Sequence, residues 1–418
     1  MAKIIPLLPL AAAVAAAPPA RRVHPENELI AHPAIRITVG QRDADLIGRD
    51  HRALQAAVDY VARLGGGVVE IGPGVYVMRD SLHLRTGVTV RGAGAKTILK
   101  KAPSARSPLA ADGDFGEPAI TVAEPDKFHL GDGVYIATKR VHGFHAICAT
   151  ILNRRGNYLT LSRPLNADCM MRDAAFAATV FPVISAYHAR DFRVENLTIE
   201  GNREANEEIN GCRGAGIFFY QGDGGVIKNC TVRGYNGDGI SFQQSHDVQV
   251  LDCLVEHCAG GGIHPGSGSQ RCVVRGCRSL RNDRDGFFFC WRVRHGVVED
   301  NVFRGNGGVG ISIGHKDSDN LIRRNLIADN AGGGVYWRNE ARPQAAHRIT
   351  FTHNRVENNG RFGLFIDGET DGTILRDNTI RCADPEAVAL HLGPRVGEVT
   401  LENNTLVAAR RMLDERQR

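Results

Sequence analysis

In the second half of the chain, apolar and polar residues alternate over short stretches, each opened by a small residue and closed by a polar turn. The opening steps are Gly216-Ile217, Gly239-Ile240, Gly262-Ile263, Gly286-Phe287, Gly310-Ile311, Gly334-Val335, Gly363-Leu364 and Ala389-Leu390, at intervals of 23, 23, 24, 24, 24, 29 and 26 residues. Alternation of this length predicts short strands with one buried side. A unit so short cannot enclose a core, so successive copies must stack on one another as the coils of a solenoid. The residue after each small residue is expected to face inward. The next one is then expected to face outward, giving the column Phe218, Ser241, His264, Phe288, Ser312, Tyr336, Phe365 and His391.

A second column runs through Asn196, Cys230, Cys253, Cys277, Asn301, Asn325, Asn354, Asn378 and Asn404, each just after a strand. Stacked asparagines can bond both the turn backbone and the amide above, so this column is read as structural. Ahead of the repeats, Asp50 to Leu64 has the spacing of an amphipathic helix, with Ala53, Leu54, Ala57, Val58, Val61 and Leu64 on one face and Gly65 as its stop. It is expected to cover the open end of the solenoid, which spans 45–406. Residues 110–185 break the repeat and predict a small β insertion, with strands near Gly131–Ala137, Tyr158–Ser162 and Thr179–Ile184. The polar tail 407–418 is expected to fray.

Composition narrows the class. The 48 glycines and only 6% aromatics among 418 residues suit short strands and tight corners rather than a helical bundle. A net charge of +5, from 51 basic and 46 acidic residues, is too dilute for a nucleic-acid partner and compatible with an acidic one. Residues 1–17 read as a signal peptide with small residues at Ala15-Ala16-Ala17, which places the protein outside the cytoplasm, secreted or periplasmic. Pro6 and Pro9 and the short apolar run argue against a membrane span. Cys230, Cys253 and Cys277 fall in one interior column, so a reduced ladder is expected there.

The segment Ala53-Leu-Gln-Ala-Ala-Val-Asp-Tyr-Val-Ala-Arg-Leu-Gly-Gly-Gly-Val-Val-Glu-Ile-Gly-Pro-Gly-Val-Tyr, followed by Gly87-Val-Thr-Val-Arg-Gly-Ala-Gly and the laddered coils, resembles the pectate-lyase-like superfamily. The resemblance implies an all-β, right-handed parallel β-helix. Polysaccharide lyases, glycoside hydrolases, sugar epimerases, phage tail-spikes and surface proteins share that fold, so it implies a carbohydrate partner and leaves the reaction open. Gly237-Asp238-Gly239-Ile240-Ser241 and Gly260-Gly261-Gly262-Ile263-His264 resemble two polygalacturonase coils, with Gly237 in place of an aspartate and Gly261 in place of a histidine.

The turns after the outward column change character in the middle coils: Cys290-Trp291-Arg292, Gly314-His315-Lys316-Asp317, Arg338-Asn339-Glu340 and Asp367-Gly368-Glu369. Elimination from a uronate chain needs the carboxylate neutralised, a base for the adjacent carbon-bound proton and an acid for the leaving oxygen. Arg292 or Arg338 can neutralise, His315 or Lys316 can act as base, and Glu340 completes the catalytic set. His264, Trp291, Tyr336, Asp317, Asp238, Asp285 and Asp367 are expected to line the substrate. A polysaccharide lyase is the reading this favours. An inverting hydrolase using Asp238 and Asp285, two coils apart, and a non-catalytic glycan-binding solenoid are the alternatives. No cofactor is required, although Asp238 and Asp285 could share a calcium ion with substrate.

Overall fold

The computed structural model describes residues 35–416, so the leader read at 1–17 lies outside the described residues. Each coil lays down three strands that pair in parallel with those of its neighbours. The strands after the glycine step form an 11-stranded sheet, termed sheet 1 here; the next strands of each coil form a 13-stranded sheet 2, and the third set an 11-stranded sheet 3. Stacking in register is what the repeat predicts: Ile217 pairs with Ile240, Ile240 with Ile263, Ile263 with Phe287, and the column continues through Ile311, Val335, Leu364 and Leu390. These side chains are buried in a single continuous core. Trp337 is buried among them, as its inward register requires.

The small residue before each apolar one has a steric cause. A Cβ on Gly239 would lie 2.1 Å from the Val255 side chain and 2.9 Å from the Gly262 carbonyl, because sheets 1 and 3 converge at this corner. No side chain fits there without opening the coil.

The corner between sheets 2 and 3 is turned by one left-handed residue per coil, including Asn229, Asp252, Asp300 and Arg324 with φ between 50° and 58°. The residue after it points inward. Asn196 is itself such a corner residue, with φ 55°, and pairs in register with Asn229, so Leu197, not Asn196, is the partner of Cys230 in the inner column. From Asn301 onward the asparagine ladder is continuous: the Nδ2 of Asn301 donates to Asn325 Oδ1 at 3.0 Å, and the chain runs through Asn354 and Asn378 to Asn404. A second ladder, Asn282, Asn306, Asn330 and Asn359, climbs the corner between sheets 3 and 1. All ten cysteines are free, and Cys230, Cys253 and Cys277 are buried in the column below the first ladder.

The helix runs from His51 to Arg63, capped by the Asp50 carboxylate accepting from the Arg52 N–H. Leu54, Ala57, Val58 and Val61 are buried against the first coil, whereas Leu64 is 50% exposed, because the helix has ended one residue earlier and Leu64 lies beyond its apolar face. The insertion is a six-stranded antiparallel sheet that begins at Arg106 and closes with Phe176–Ala178, around its own apolar cluster. Thr179–Val183 leads back to the solenoid, and Ile184–Tyr187 is already a strand of sheet 1. At the other end Arg410–Asp414 pairs with Val388–Leu392 as the last strand of sheet 1, so this part of the tail is paired where fraying is expected from its polarity. Backbone pairing, which polarity does not report, holds it.

Candidate functional site

The outward column of sheet 1 has the expected register, but its middle is not an open platform. Phe218, Ser241 and His264 are all less than 5% exposed. The cause is the loop between Glu200 and Ala215, in a coil longer than those that follow. It folds back across the sheet, and Ser241 Oγ donates to the Gly211 carbonyl at 2.7 Å. Arg213 fastens the loop to the insertion by donating from Nε to the Phe144 carbonyl at 2.8 Å.

Under the edge of this loop lies a cavity of about 240 Å³ lined by Gly211, Cys212, Asp238, Gly261, His264, Asp285, Phe288 and Cys290. Its rim carries Glu208 and Arg284, paired at 2.7 Å. Three coils contribute: Asp238 stands at the start of one sheet 1 strand, His264 on the next, and Asp285 just before the third. Asp238 is fixed from two sides. Its Oδ1 accepts from the Gly261 N–H at 2.6 Å and its Oδ2 lies 2.6 Å from His264 Nδ1. Burial works against charge on His264, but the Asp238 hydrogen bond and negative charge outweigh it, so the imidazole pKa is raised. Asp285 is shifted upward, mainly by burial, against the Val309 N–H that donates to its Oδ1 at 2.8 Å. The cavity thus holds one carboxyl biased toward its protonated form and one carboxylate positioned by hydrogen bonds. Cys212 shares a hydrogen bond with Cys290, which brings its thiol down to about 7 and pushes that of Cys290 up.

A second cluster adjoins the first through Arg338, whose guanidinium carbon lies 4.9 Å from the Phe288 ring centroid. Its Nη1 donates to Ser312 Oγ at 2.9 Å and its Nη2 to the Phe289 carbonyl at 3.0 Å, with Asp317 Oδ2 at 3.3 Å and Glu340 Oε1 3.4 Å from Nε. Glu340 Oε2 lies 3.1 Å from His315 Nδ1, an ion-pair distance out of line for a hydrogen bond. The His315 ring stacks on Trp291 with centroids 4.1 Å apart and planes 17° from parallel. Burial lowers the His315 pKa; Glu340 opposes this and the charges of Arg338, Arg292 and Lys316 reinforce it.

The sequence-derived residues therefore divide. Asp238, His264 and Asp285 share the cavity. Trp291, His315, Asp317, Arg338 and Glu340 form the adjoining cluster, with Arg292 exposed at its edge. Lys316 lines a different hollow, of about 520 Å³, with Arg294, Arg342 and Arg348. Tyr336 stands over Phe365 at 5.3 Å, and its hydroxyl accepts from the Asn339 N–H. Asp367 is buried and accepts from the Gly368 N–H at 2.7 Å, which makes it part of its own turn. Cys212 and Cys290 are cavity residues that the spacing of the repeats does not single out, since Cys212 lies in the added loop outside any column.

A family model described as "Right handed beta helix region" matches residues 183–345. No curated protein matches the sequence significantly. Among solved structures, the chain is similar to the A-module of Azotobacter vinelandii mannuronan C-5 epimerase AlgE6, at 15% identity over 87% of this chain and 94% of that one, with TM-score 0.52. It is also similar to Yersinia enterocolitica family 28 exopolygalacturonase, at 14% identity over 91% and 78% of the two chains, with TM-score 0.53. The Agl-KA catalytic domain gives 14% identity over 92% and 68%, with TM-score 0.56. At such identities the likeness is one of fold. Among the described residues, no helix is long and apolar enough to cross a membrane. With three parallel sheets stacked in register, a family match over its central coils and these structural neighbours, the chain has the right-handed parallel β-helix fold.

Proposed function

We propose that this protein is an exported, glycan-active enzyme whose reaction centre is the cavity between Asp238, His264 and Asp285. The observation that carries the reading is the pair of carboxyl groups, two coils apart, in one cavity and in unlike environments. Two coil rises separate their backbones by roughly 9.6 Å, at the upper end of the spacing used by inverting glycosidases, which need room for a water between acid and base. In this reading Asp285 gives its proton to the glycosidic oxygen as the bond to the anomeric carbon breaks. Asp238, held by His264 and the Gly261 N–H, takes the proton of the attacking water. The names of two relatives, a mannuronan epimerase and an exopolygalacturonase, support a glycan as substrate. The cavity is about the size of one sugar ring, and the loop that roofs it favours a chain end over a chain interior.

Elimination from a uronate is the second reading. In its favour, burial and then three neighbouring cations lower the pKa of His315, as a base requires. Arg338 counts against it, since its donors already serve Ser312, Phe289, Asp317 and Glu340. Incubation with a panel of neutral and uronate-containing glycans decides between them. Hydrolysis releases reducing ends without the ultraviolet absorbance of an unsaturated uronate, and Asp285→Asn lowers that rate by roughly 10²–10⁴-fold. Products carrying the absorbance would replace hydrolysis with elimination. Saturable glycan binding without turnover would make the protein a binding module.

A further inference from the structure

We infer that Cys212, His264 and Cys290 form a site for a single zinc-class divalent cation at the wall of the cavity. One ligand atom from each of the three residues lies within 4.8 Å of the other two. The three come from separate parts of the chain: the added loop, one sheet 1 strand, and the turn that ends the strand of the following coil. Nothing in the repeat requires a cysteine at either place.

The donor set selects the metal. Two thiolates and an imidazole suit zinc or cobalt and do not suit calcium or magnesium, which take oxygen ligands. Three protein ligands with the fourth position open toward a cavity is the arrangement of zinc sites that bind a further molecule. The side chain behind the histidine also fits. Asp238 Oδ2 accepts from His264 Nδ1 at 2.6 Å, which fixes the ring and its tautomer and leaves the Nε2 lone pair for a metal. The present claimant for that lone pair is Gln243 Nε2, at a long 3.3 Å. The carbonyl oxygen of the same buried Gln243 side chain has no hydrogen-bond partner. An imidazole nitrogen and two sulfurs thus lie within 4.8 Å of one another at the wall of the cavity, and a cation is the group that satisfies the three together.

The inference shares a cavity with the proposed reaction but does not depend on it, because it is tested on the protein without substrate. In that reaction His264 would hold the metal with one nitrogen and Asp238 with the other, and the role of Asp238 would be unchanged.

The test uses the full chain, purified with reductant, loaded with zinc chloride and dialysed, with metal and thiols counted. One retained zinc per chain is expected, and cobalt in its place should give thiolate-to-metal charge transfer with tetrahedral ligand-field bands. Cys212→Ser and Cys290→Ser should each abolish both signals, and Asp238→Asn should weaken binding about 10–100-fold. Cys230→Ser, in the buried ladder, should leave them intact, and a far-ultraviolet spectrum confirms that each variant is folded. Failure of the reduced wild type to retain zinc would overturn the site. So would retention unaffected by both cysteine variants, or formation of a Cys212–Cys290 disulfide in preference to metal binding when zinc is in excess. Zinc binding with no activity on any glycan would leave the site standing and remove the proposed reaction.

Discussion

The Asp317 carboxylate meets the Arg338 guanidinium at 3.3 Å beneath the surface of sheet 1, joining turns on successive coils. Asp317 is wholly buried and also accepts from the Val293 and Gly314 N–H groups at 2.9 and 3.0 Å. Burial outweighs these favourable partners and raises its pKa from 3.8 to about 7. The folded state therefore holds a proton on Asp317 over a range in which the unfolded chain has lost it.

The sign of the pH dependence follows. A carboxyl whose folded value is raised contributes most to stability below the unfolded value, and that contribution is lost as the pH rises through the folded one. Between pH 3.8 and about 7, Asp317 should draw stability down as pH increases, by an amount on the order of 2–4 kcal/mol. Urea unfolding across that range measures it. Asp317→Asn should flatten the wild-type slope, and an unchanged slope would mean that Arg338 keeps Asp317 ionised throughout.

Arg338 should be a structural keystone as well as a neighbour of the cavity. Its side chain reaches the Ser312 hydroxyl, the Phe289 carbonyl and two carboxylates, so Arg338→Met strands Asp317 without its cation. Above about pH 7, where Asp317 is ionised, the loss should be about 2–4 kcal/mol, somewhat below that of a fully buried pair because the guanidinium retains some exposure. The double variant Arg338→Met with Asp317→Asn should recover part of it, since the stranded charge is then gone. If the two losses simply add, the contact contributes little.

These relationships were only partly legible in the sequence, and the division is physical. The Gly239-Ile240 type of step is readable because a steric rule repeats it at every coil. Asn301 to Asn404 is readable because one hydrogen-bond solution is reused. The second ladder, Asn282 to Asn359, obeys the same rule but sits in the turn just before each glycine step, where asparagine is an ordinary turn residue. The cavity beside His264 depends on Cys212 and Gly211, in a loop with no period, and what such a loop covers is decided by tertiary packing. The same limit explains why Lys316, adjacent to His315 in sequence, opens into another hollow: both residues have positive φ, at 67° and 41°, and the turn sends them apart.

The second ladder offers a stability test remote from the cavity. Asn330 donates from Nδ2 to the Phe303 carbonyl at 3.0 Å and to Asn359 Oδ1 at 2.8 Å, and its Oδ1 accepts from the backbone and side chain of Asn306. Asn330→Ala leaves several of these buried groups unpaired, at a cost of roughly 3–5 kcal/mol. Because each coil contacts only its neighbours, the loss should appear as early unfolding of the C-terminal coils, seen as a separate transition in denaturant or as faster local hydrogen exchange. Asn404→Ala, at the partly exposed end of the first ladder, should cost about 1 kcal/mol. Equal losses at the two sites would show that burial within the ladder is not what sets its strength.

Gly211 gives the most direct test of whether the added loop builds the cavity. A Cβ at this position would fall 1.7 Å from Asp238 Oδ2 and 2.7 Å from His264 Nδ1, so even alanine must push apart the hydrogen bond that holds the two side chains. The substitution adds one methyl group at a loop position, leaving the core columns and both ladders untouched. Gly211→Ala should therefore reduce glycan turnover at least about 100-fold, because catalytic groups tolerate little misplacement, while thermal stability changes by only about 1–2 kcal/mol. The imidazole resonances of His264 should move with the loss of the Asp238 contact, separating displacement of the pair from general unfolding. Full turnover in a Gly211→Ala protein with an altered His264 signal would remove the Asp238–His264 pair from the reaction and return attention to the cluster around Arg338 and His315.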